Sequence, residues 1–273
     1  MTTATLAAPS STLSSANSAK THVLTPAQIA AYHEHGAVIL PTAINAEQLA
    51  LLRGSCKAAM DETDAKMDAE GTDVLGLNRR NNRYFSGQPS LTQPQLFDFI
   101  FSPLMEGICR DLLGDTVHVF WEQYVVKGPE GGMHFSWHQD SGYVSADTAH
   151  KPYLTCWVAL DDMFEENGTI YVLPTSRLGI RSRVEHIWDK ATGDQVGYFG
   201  NDPGDAVICP DGSIALFSSV TFHRSGWNRT PRLRRSYLIQ YSHEPIVRPG
   251  TGVPYGRSEP FIVGGQRIAS RNK

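Results

Sequence analysis

From Thr116 to Tyr241 the chain breaks into short runs of β-branched and aromatic residues separated by Gly, Pro, Asn and Asp, and this texture constrains the fold more than any other feature. Eight runs read as strands: Val117 to Lys127, His134 to His138, Leu154 to Leu160, Thr169 to Leu173, Ala206 to Cys209, Ser213 to Phe217, Phe222 to Ser225 and Arg235 to Tyr241. Short strands with tight turns must each bury one face, so a sandwich or a double-sheet barrel is expected. Upstream the pattern is helical. Thr25 and Pro26 suit an N-cap and first helical position for a helix over Ala27 to His35 that stops at Gly36. A short strand, Ala37 to Leu40, precedes a long helix from Asn45 to about Asp68, and another helical segment covers about Gln93 to Leu113, interrupted near Pro103. The expectation is a mainly β protein with flanking helices. Residues 1–23 read as a disordered tail and 24–273 as one domain, helical over about 24–115 with a β core over about 116–245.

Composition narrows the partners. A formal charge of -4 over 273 residues argues against affinity built on neutralising many phosphates, so a small molecule is expected rather than nucleic acid. No apolar stretch is long enough to span a bilayer, and no membrane partner is expected. The Ala-, Ser- and Thr-rich start has neither a basic opening nor a sustained apolar run, so a secretory signal is not expected. Cys56, Cys109, Cys156 and Cys209 are widely spaced with no paired motif and read as reduced core thiols, which suits a cytoplasmic location.

Within the β region, His138-Gln139-Asp140 is the pattern with chemical content. In an extended chain residues i and i+2 point to the same side, so His138 and Asp140 can reach one ion. With a distant histidine such as His223 they would make a two-histidine, one-carboxylate facial triad, the donor set of mononuclear Fe(II) sites with open positions for chemistry. Most other histidines, His22, His33, His35, His150, His186 and His243 among them, sit in polar or helical contexts and read as surface or satisfied residues.

Further matches follow in order: Trp157-Val158-Ala159-Leu160-Asp161-Asp162, Glu166-Asn167-Gly168-Thr169, Leu173-Pro174-Thr175-Ser176-Arg177, His223-Arg224-Ser225-Gly226, then Pro231 and Arg234. Together with His138-Gln139-Asp140 this series resembles the phytanoyl-CoA dioxygenase family of Fe(II)- and 2-oxoglutarate-dependent oxygenases, over roughly Thr25 to Tyr241. The resemblance implies a double-stranded β-helix, the jelly-roll or cupin-like barrel, with iron on His138, Asp140 and His223; 82 residues, 141–222, separate the last two. It implies further that Arg234, eleven residues past His223, binds the 2-oxoglutarate carboxylate, that Ser225 is its hydroxyl partner, and that Gln123 and Trp157 line the same pocket. On charge alone Arg229, Arg232 and Arg235 would compete for that role. The implied reaction consumes 2-oxoglutarate and O2, releases succinate and CO2, and oxidises an unactivated C–H bond. A carboxylate at Asp140, where related halogenases carry a small residue, points away from halogenation.

The substrate is less constrained. The segment Leu77-Asn78-Arg79-Arg80-Asn81-Asn82-Arg83-Tyr84 is polar and basic, and reads either as a solvated loop or as part of the active-site mouth, with Asn82 and Arg83 as contacts. Tyr143 and the loop Val184 to Asn201 are further candidates. The acidic balance disfavours an acyl-CoA and favours a small metabolite or natural-product intermediate. Two rivals stay open at this point: a zinc hydrolase on the same three ligands, and a non-catalytic binding domain on the same barrel.

Overall fold

The computed structural model describes residues 22–131, 133–190 and 193–268. The tail expected over 1–23 lies almost wholly outside them. Its last residue, Val23, donates its backbone N–H to Asp111 Oδ2 at 2.9 Å, as does Leu24 at 2.8 Å. Helix α1 (Pro26–His35) starts with a reciprocal capping box between Thr25 and Gln28 and stops at Gly36, whose φ of 76° suits a residue without Cβ. Helix α2 (Ala46–Glu70) repeats the device with Asn45 and Gln48 and ends at Gly71. The helix expected from Gln93 is instead three short turns, Pro89–Leu91, Pro94–Leu96 and Phe97–Ile100, before α3 (Pro103–Leu113). Pro94 and Pro103 can open a helical turn but cannot continue one, because each lacks the N–H and clashes with the preceding turn.

Among the described residues the main strands of the barrel are β1 (Ala37–Leu40), β2 (Arg83–Gly87), β3 (Val117–Lys127), β4 (Phe135–His138), β5 (Leu154–Ala159), β6 (Ile170–Leu173), β7 (Asp205–Ala206), β8 (Ile214–Ser218), β9 (Phe222–Ser225), β10 (Arg234–Ser242) and β11 (Glu259–Val263). The major sheet runs β1-β8-β5-β10-β3-β2, with β11 on the start of β3, and the minor sheet runs β7-β6-β9-β4. Every pairing is antiparallel, and the two sheets form the jelly roll.

Alternation along the major sheet divides the core in two. Cys156, Val158, Leu216, Tyr237, Ile239 and Val126 face the helices, where Leu52, Cys56, Ile108 and Cys109 close a large apolar cluster. Trp157, Ala159, Ala215 and Phe217 face the barrel interior and meet Ile170 and Val172 of the minor sheet. Strand β5 is thus buried on both faces, as its run of Leu154, Cys156, Trp157, Val158 and Ala159, broken only by Thr155, requires. Each fully buried Leu, Ile or Val of this kind contributes about 1.5–3 kcal/mol relative to exposure. All four cysteines are buried and unbonded. Among the described residues no helix is long and apolar enough to cross a membrane.

Three local expectations change. The basic segment 77–84 is not a free loop: Val74–Leu75, Asn78–Arg79 and β2 add strands to the major sheet beside β3, so the β core reaches upstream of 116, and β11 carries it past 245. The strand expected over Ala206 to Cys209 shrinks to β7, and Cys209 makes only an isolated bridge to Met163. The loop expected over Val184 to Asn201 contains a hairpin, Ile187–Asp189 against Asp194–Val196.

Candidate active site

His138 ends β4 and stands directly opposite His223 of β9. Gln139 stays extended (φ -106°, ψ 140°), so Asp140, the first residue of a 3-10 turn, points to the same side as His138. One ligand atom from each of His138, Asp140 and His223 lies within 4.8 Å of the others, the only such His/Cys/Asp/Glu group among the described residues. Asp140 Oδ1 is 3.6 Å from His223 Nε2. Each imidazole presents Nδ1 to a backbone carbonyl, His138 to Ser136 at 2.8 Å and His223 to Thr221 at 3.2 Å. Nδ1 therefore carries the proton and Nε2 keeps its lone pair, as a metal ligand must. The other carboxylate oxygen of Asp140 accepts from Thr155 Oγ1, which in turn accepts from Gln240 Nε2 at 3.3 Å. Two neutral imidazoles and an oriented carboxylate fit a divalent iron, so these residues would hold it.

Burial, and then the neighbouring His223 ring, push His138 below the usual imidazole range. The unfolded imidazole titrates near 6.5, so on acidification the unfolded chain takes up this proton first. In the metal-free protein this group's contribution to stability should therefore be fully present above about pH 6.5 and be lost as the pH falls from there toward about 4. Melting curves between about pH 7.5 and 5.5 check this, and a slope unchanged in His138→Gln would contradict it.

The x of the motif also matters. Gln139 is fully buried and points away from the metal position. Its amide donates to Val220 O at 2.6 Å and Ser182 O at 3.0 Å, and its carbonyl accepts from Val184 N at 2.9 Å. It ties the metal loop to the β8–β9 connection and to the 180s segment, which the sequence reading did not anticipate.

Beside the triad, Arg234 opens β10 and is 1% exposed. Nη1 donates to Ser236 Oγ at 3.0 Å and Nη2 to Gly168 O at 3.1 Å, while Nε, also buried, has no hydrogen-bond partner among the described residues. Desolvation pushes the guanidinium down to about 10, still charged at neutral pH. Its centre lies 5.8 Å above the Trp157 ring. Arg235 points outward into a bidentate pair with Asp161, which separates it from its neighbour's role. Ser225 shares the interior face of β9 with His223, and Gln123, on β3, accepts from Trp121 Nε1 at 3.0 Å. A buried cation with an unpartnered donor, next to a metal triad, fits a keto acid with a distal carboxylate.

Triad, Arg234, Ser225, Gln123 and Trp157 share one cavity of about 600 Å³. Its outer wall is aromatic: Phe85, Phe120, Trp121, Phe135, Tyr153 and Tyr255. Of the expected substrate contacts, Tyr143 and Arg83 line it. Tyr143 is 50% exposed at the mouth with its ring centroid 5.5 Å from that of His138. Asn82 does not line it. Its side-chain amide donates to Gly131 O at 3.1 Å and its backbone carbonyl accepts from Gly128 N at 2.6 Å, so it braces the turn after β3. Trp188, 52% exposed on the strand Ile187–Asp189, also lines the cavity and falls inside the loop singled out from sequence. The sequence reading overlooked Lys127, which is 1% exposed and reaches from the major sheet to Ser225 Oγ at 2.8 Å.

The family model for phytanoyl-CoA dioxygenase (PhyH) matches residues 32–236. The probable alpha-ketoglutarate-dependent hypophosphite dioxygenase of Stutzerimonas stutzeri is 27% identical over 214 residues, 74% of this chain and 68% of that protein. The phytanoyl-CoA dioxygenase domain-containing protein 1 of Mus musculus is 26% identical over 144 residues, 50% of this chain and 49% of that one. Among solved structures, the alpha ketoglutarate dependent carbocyclase SnoK from nogalamycin biosynthesis superposes with a TM-score of 0.68 at 22% identity, covering 88% of this chain and 97% of that one. EctD from S. alaskensis, with 2-oxoglutarate and 5-hydroxyectoine, gives 0.67 at 20% identity, covering 90% and 88%. Both likenesses carry the jelly-roll fold. Since the family match runs from within α1 into β10, and so takes in the triad, Ser225 and Arg234 alike, the chain belongs to the phytanoyl-CoA dioxygenase family of Fe(II)- and 2-oxoglutarate-dependent oxygenases.

Proposed function

We propose that this enzyme hydroxylates an unactivated C–H bond of a small, largely apolar, ring-bearing metabolite or natural-product intermediate, with 2-oxoglutarate and O2 as cosubstrates. The observation that carries it is the single cavity in which the metal triad and the buried Arg234 open onto an aromatic wall. Bound by His138, Asp140 and His223, iron supplies the activation of O2 that couples decarboxylation of 2-oxoglutarate, to succinate and CO2, with insertion of one oxygen atom into the C–H bond. The rest is positioning. Arg234 and Ser225 hold the distal carboxylate, Trp157 packs under the guanidinium, and Gln123 borders the keto acid. Tyr143 and Trp188 flank the mouth, where an apolar substrate would cover them and exclude water. Arg83 is placed to meet a polar group of that substrate.

Two features favour this over the alternatives. A metal-dependent hydrolase has no use for a desolvated Arg234 in the same cavity as the triad, and a binding domain has no use for two imidazoles with their tautomers set. An acyl-CoA would need a basic groove for its phosphates, which a formal charge of -4 does not favour, and Arg80 of the basic segment is held by Asp68 at 2.6 Å and Asp73 at 2.7 Å.

Anaerobic titration with Fe(II) and 2-oxoglutarate should produce a visible metal-to-ligand absorption band, and air should then release succinate. Absence of both would sink the oxygenase reading, as would a His138→Ala variant with full activity. In a metabolite screen for stimulated succinate release, ring-bearing apolar compounds should outperform free amino acids. Trp188→Ala should raise the KM of the best hit several-fold while leaving 2-oxoglutarate binding unchanged.

A further inference from the structure

Lys127 is a buried lysine that neither the metal triad nor the substrate wall uses. It stands at one register position with two other cations: Lys127 of β3 is the direct partner of Arg234 on β10 and of Arg83 on β2. Directly opposed residues of an antiparallel pair project to the same face, and like charges so placed repel. All three side chains are buried, at 1%, 1% and 5% exposure. Burial, then Arg234 on the neighbouring strand and Arg224 on the facing sheet, push Lys127 well below the usual lysine range, and Asp194 offsets part of this; a bound anion would favour the charged form again. A fold that gathers this much positive charge in its interior is shaped for an anion of more than one charge.

The contacts of the ammonium say where it acts. Nζ donates to Ser225 Oγ at 2.8 Å and also to Gly226 O, so it bridges the major and minor sheets at the hydroxyl. A serine hydroxyl has one proton and two lone pairs. Once a lone pair accepts from Lys127, that proton is turned away from the ammonium and toward the cavity. Resting on the cosubstrate reading given above, we infer that Lys127 is a positioning residue of the 2-oxoglutarate pocket. It orients the Ser225 hydroxyl to donate to the distal carboxylate and supplies the second buried positive charge beside Arg234.

The test compares two ligands on the Mn(II)-loaded protein by calorimetry: 2-oxoglutarate, and 2-oxobutyrate, which keeps the chelating end and lacks the distal carboxylate. Lys127→Met should weaken 2-oxoglutarate on the order of tenfold to a hundredfold, the worth of a charge-assisted hydrogen bond, and leave 2-oxobutyrate and Mn(II) unchanged. Ser225→Ala should lose the same selectivity, and the double variant should be no worse than Lys127→Met alone. Unchanged 2-oxoglutarate affinity in Lys127→Met, or equal weakening of both ligands, overturns the proposal in favour of a purely structural lysine. Where Lys127→Met does not fold, Ser225→Ala decides: if it retains full selectivity for the distal carboxylate, the proposal fails. Arg234→Met is the control for the underlying reading. If that variant keeps the selectivity, the carboxylate is held elsewhere and the cosubstrate assignment itself falls.

Discussion

Asp140→Ala should reduce succinate formation on the order of a thousandfold or more, the largest activity loss expected from any single side chain outside the two histidines. The carboxylate is the one anionic donor in the triad, so its removal leaves two neutral imidazoles and a weaker grip on iron. Its effect also passes outward. Thr155 loses the acceptor of its hydroxyl inside a buried wall, and the link through Thr155 to Gln240 is left without an end. That orphaned hydroxyl costs about 1–3 kcal/mol of desolvation without compensation. In the metal-free protein, however, the same substitution removes a buried charge, so the melting temperature should move little. Iron affinity and succinate yield should therefore collapse while the fold persists. Asp140→Glu keeps the charge but displaces the oxygen by a methylene, and should recover iron binding without full turnover. An Asp140→Ala enzyme that retained a tenth of the native rate would remove this cluster as the metal centre.

The triad was legible because its geometry is local. Two-residue periodicity places His138 and Asp140 together, and a β-rich second half offers a neighbouring strand for His223. Helix starts were legible for the same reason, since the capping boxes at Thr25 and Asn45 are complete within four residues. What the sequence concealed depends on distant partners. Lys127 ends a strand just before Gly128-Pro129, where a charge ordinarily turns to water; its burial requires Ser225, 98 positions away, and becomes visible only when register is known. Strand β2 was hidden by the basic run before it, although Arg83 and Phe85 alternate inward around the buried Tyr84. Gly168 has a φ of +74°, which suits a residue without Cβ, and a Cβ there would also lie 2.6 Å from Gly226 O. The two glycines let β6 and β9 approach so closely that Arg234 and Lys127 can each take one of their carbonyls.

Arg234→Met should lower 2-oxoglutarate affinity by about 3–4 kcal/mol, a few hundredfold, while leaving the ligand-free protein as stable as the native one or more so. The two signs have one origin. In the absence of an anion the guanidinium is held by a hydroxyl and a carbonyl, its Nε has no partner among the described residues, and burial disfavours its charge. It also faces Lys127 across the strand pair. That arrangement costs folding free energy and stores it for the ligand, because a carboxylate supplies the missing acceptor and the opposing charge at once. Methionine fills similar volume without a charge, and Ser236, though it loses the guanidinium as a donor, keeps its bond to Val125 O at 3.1 Å, so the main loss is the donor to the Gly168 carbonyl. Native protein should therefore gain melting temperature as 2-oxoglutarate is added, following the logarithm of its saturation, and Arg234→Met should start at least as high and gain almost nothing. Arg234→Lys should not rescue, since an ammonium cannot span Ser236, Gly168 and a bidentate carboxylate together. A variant that started lower but still gained the full increment would show that Arg234 supports the fold and that the carboxylate is bound by other groups.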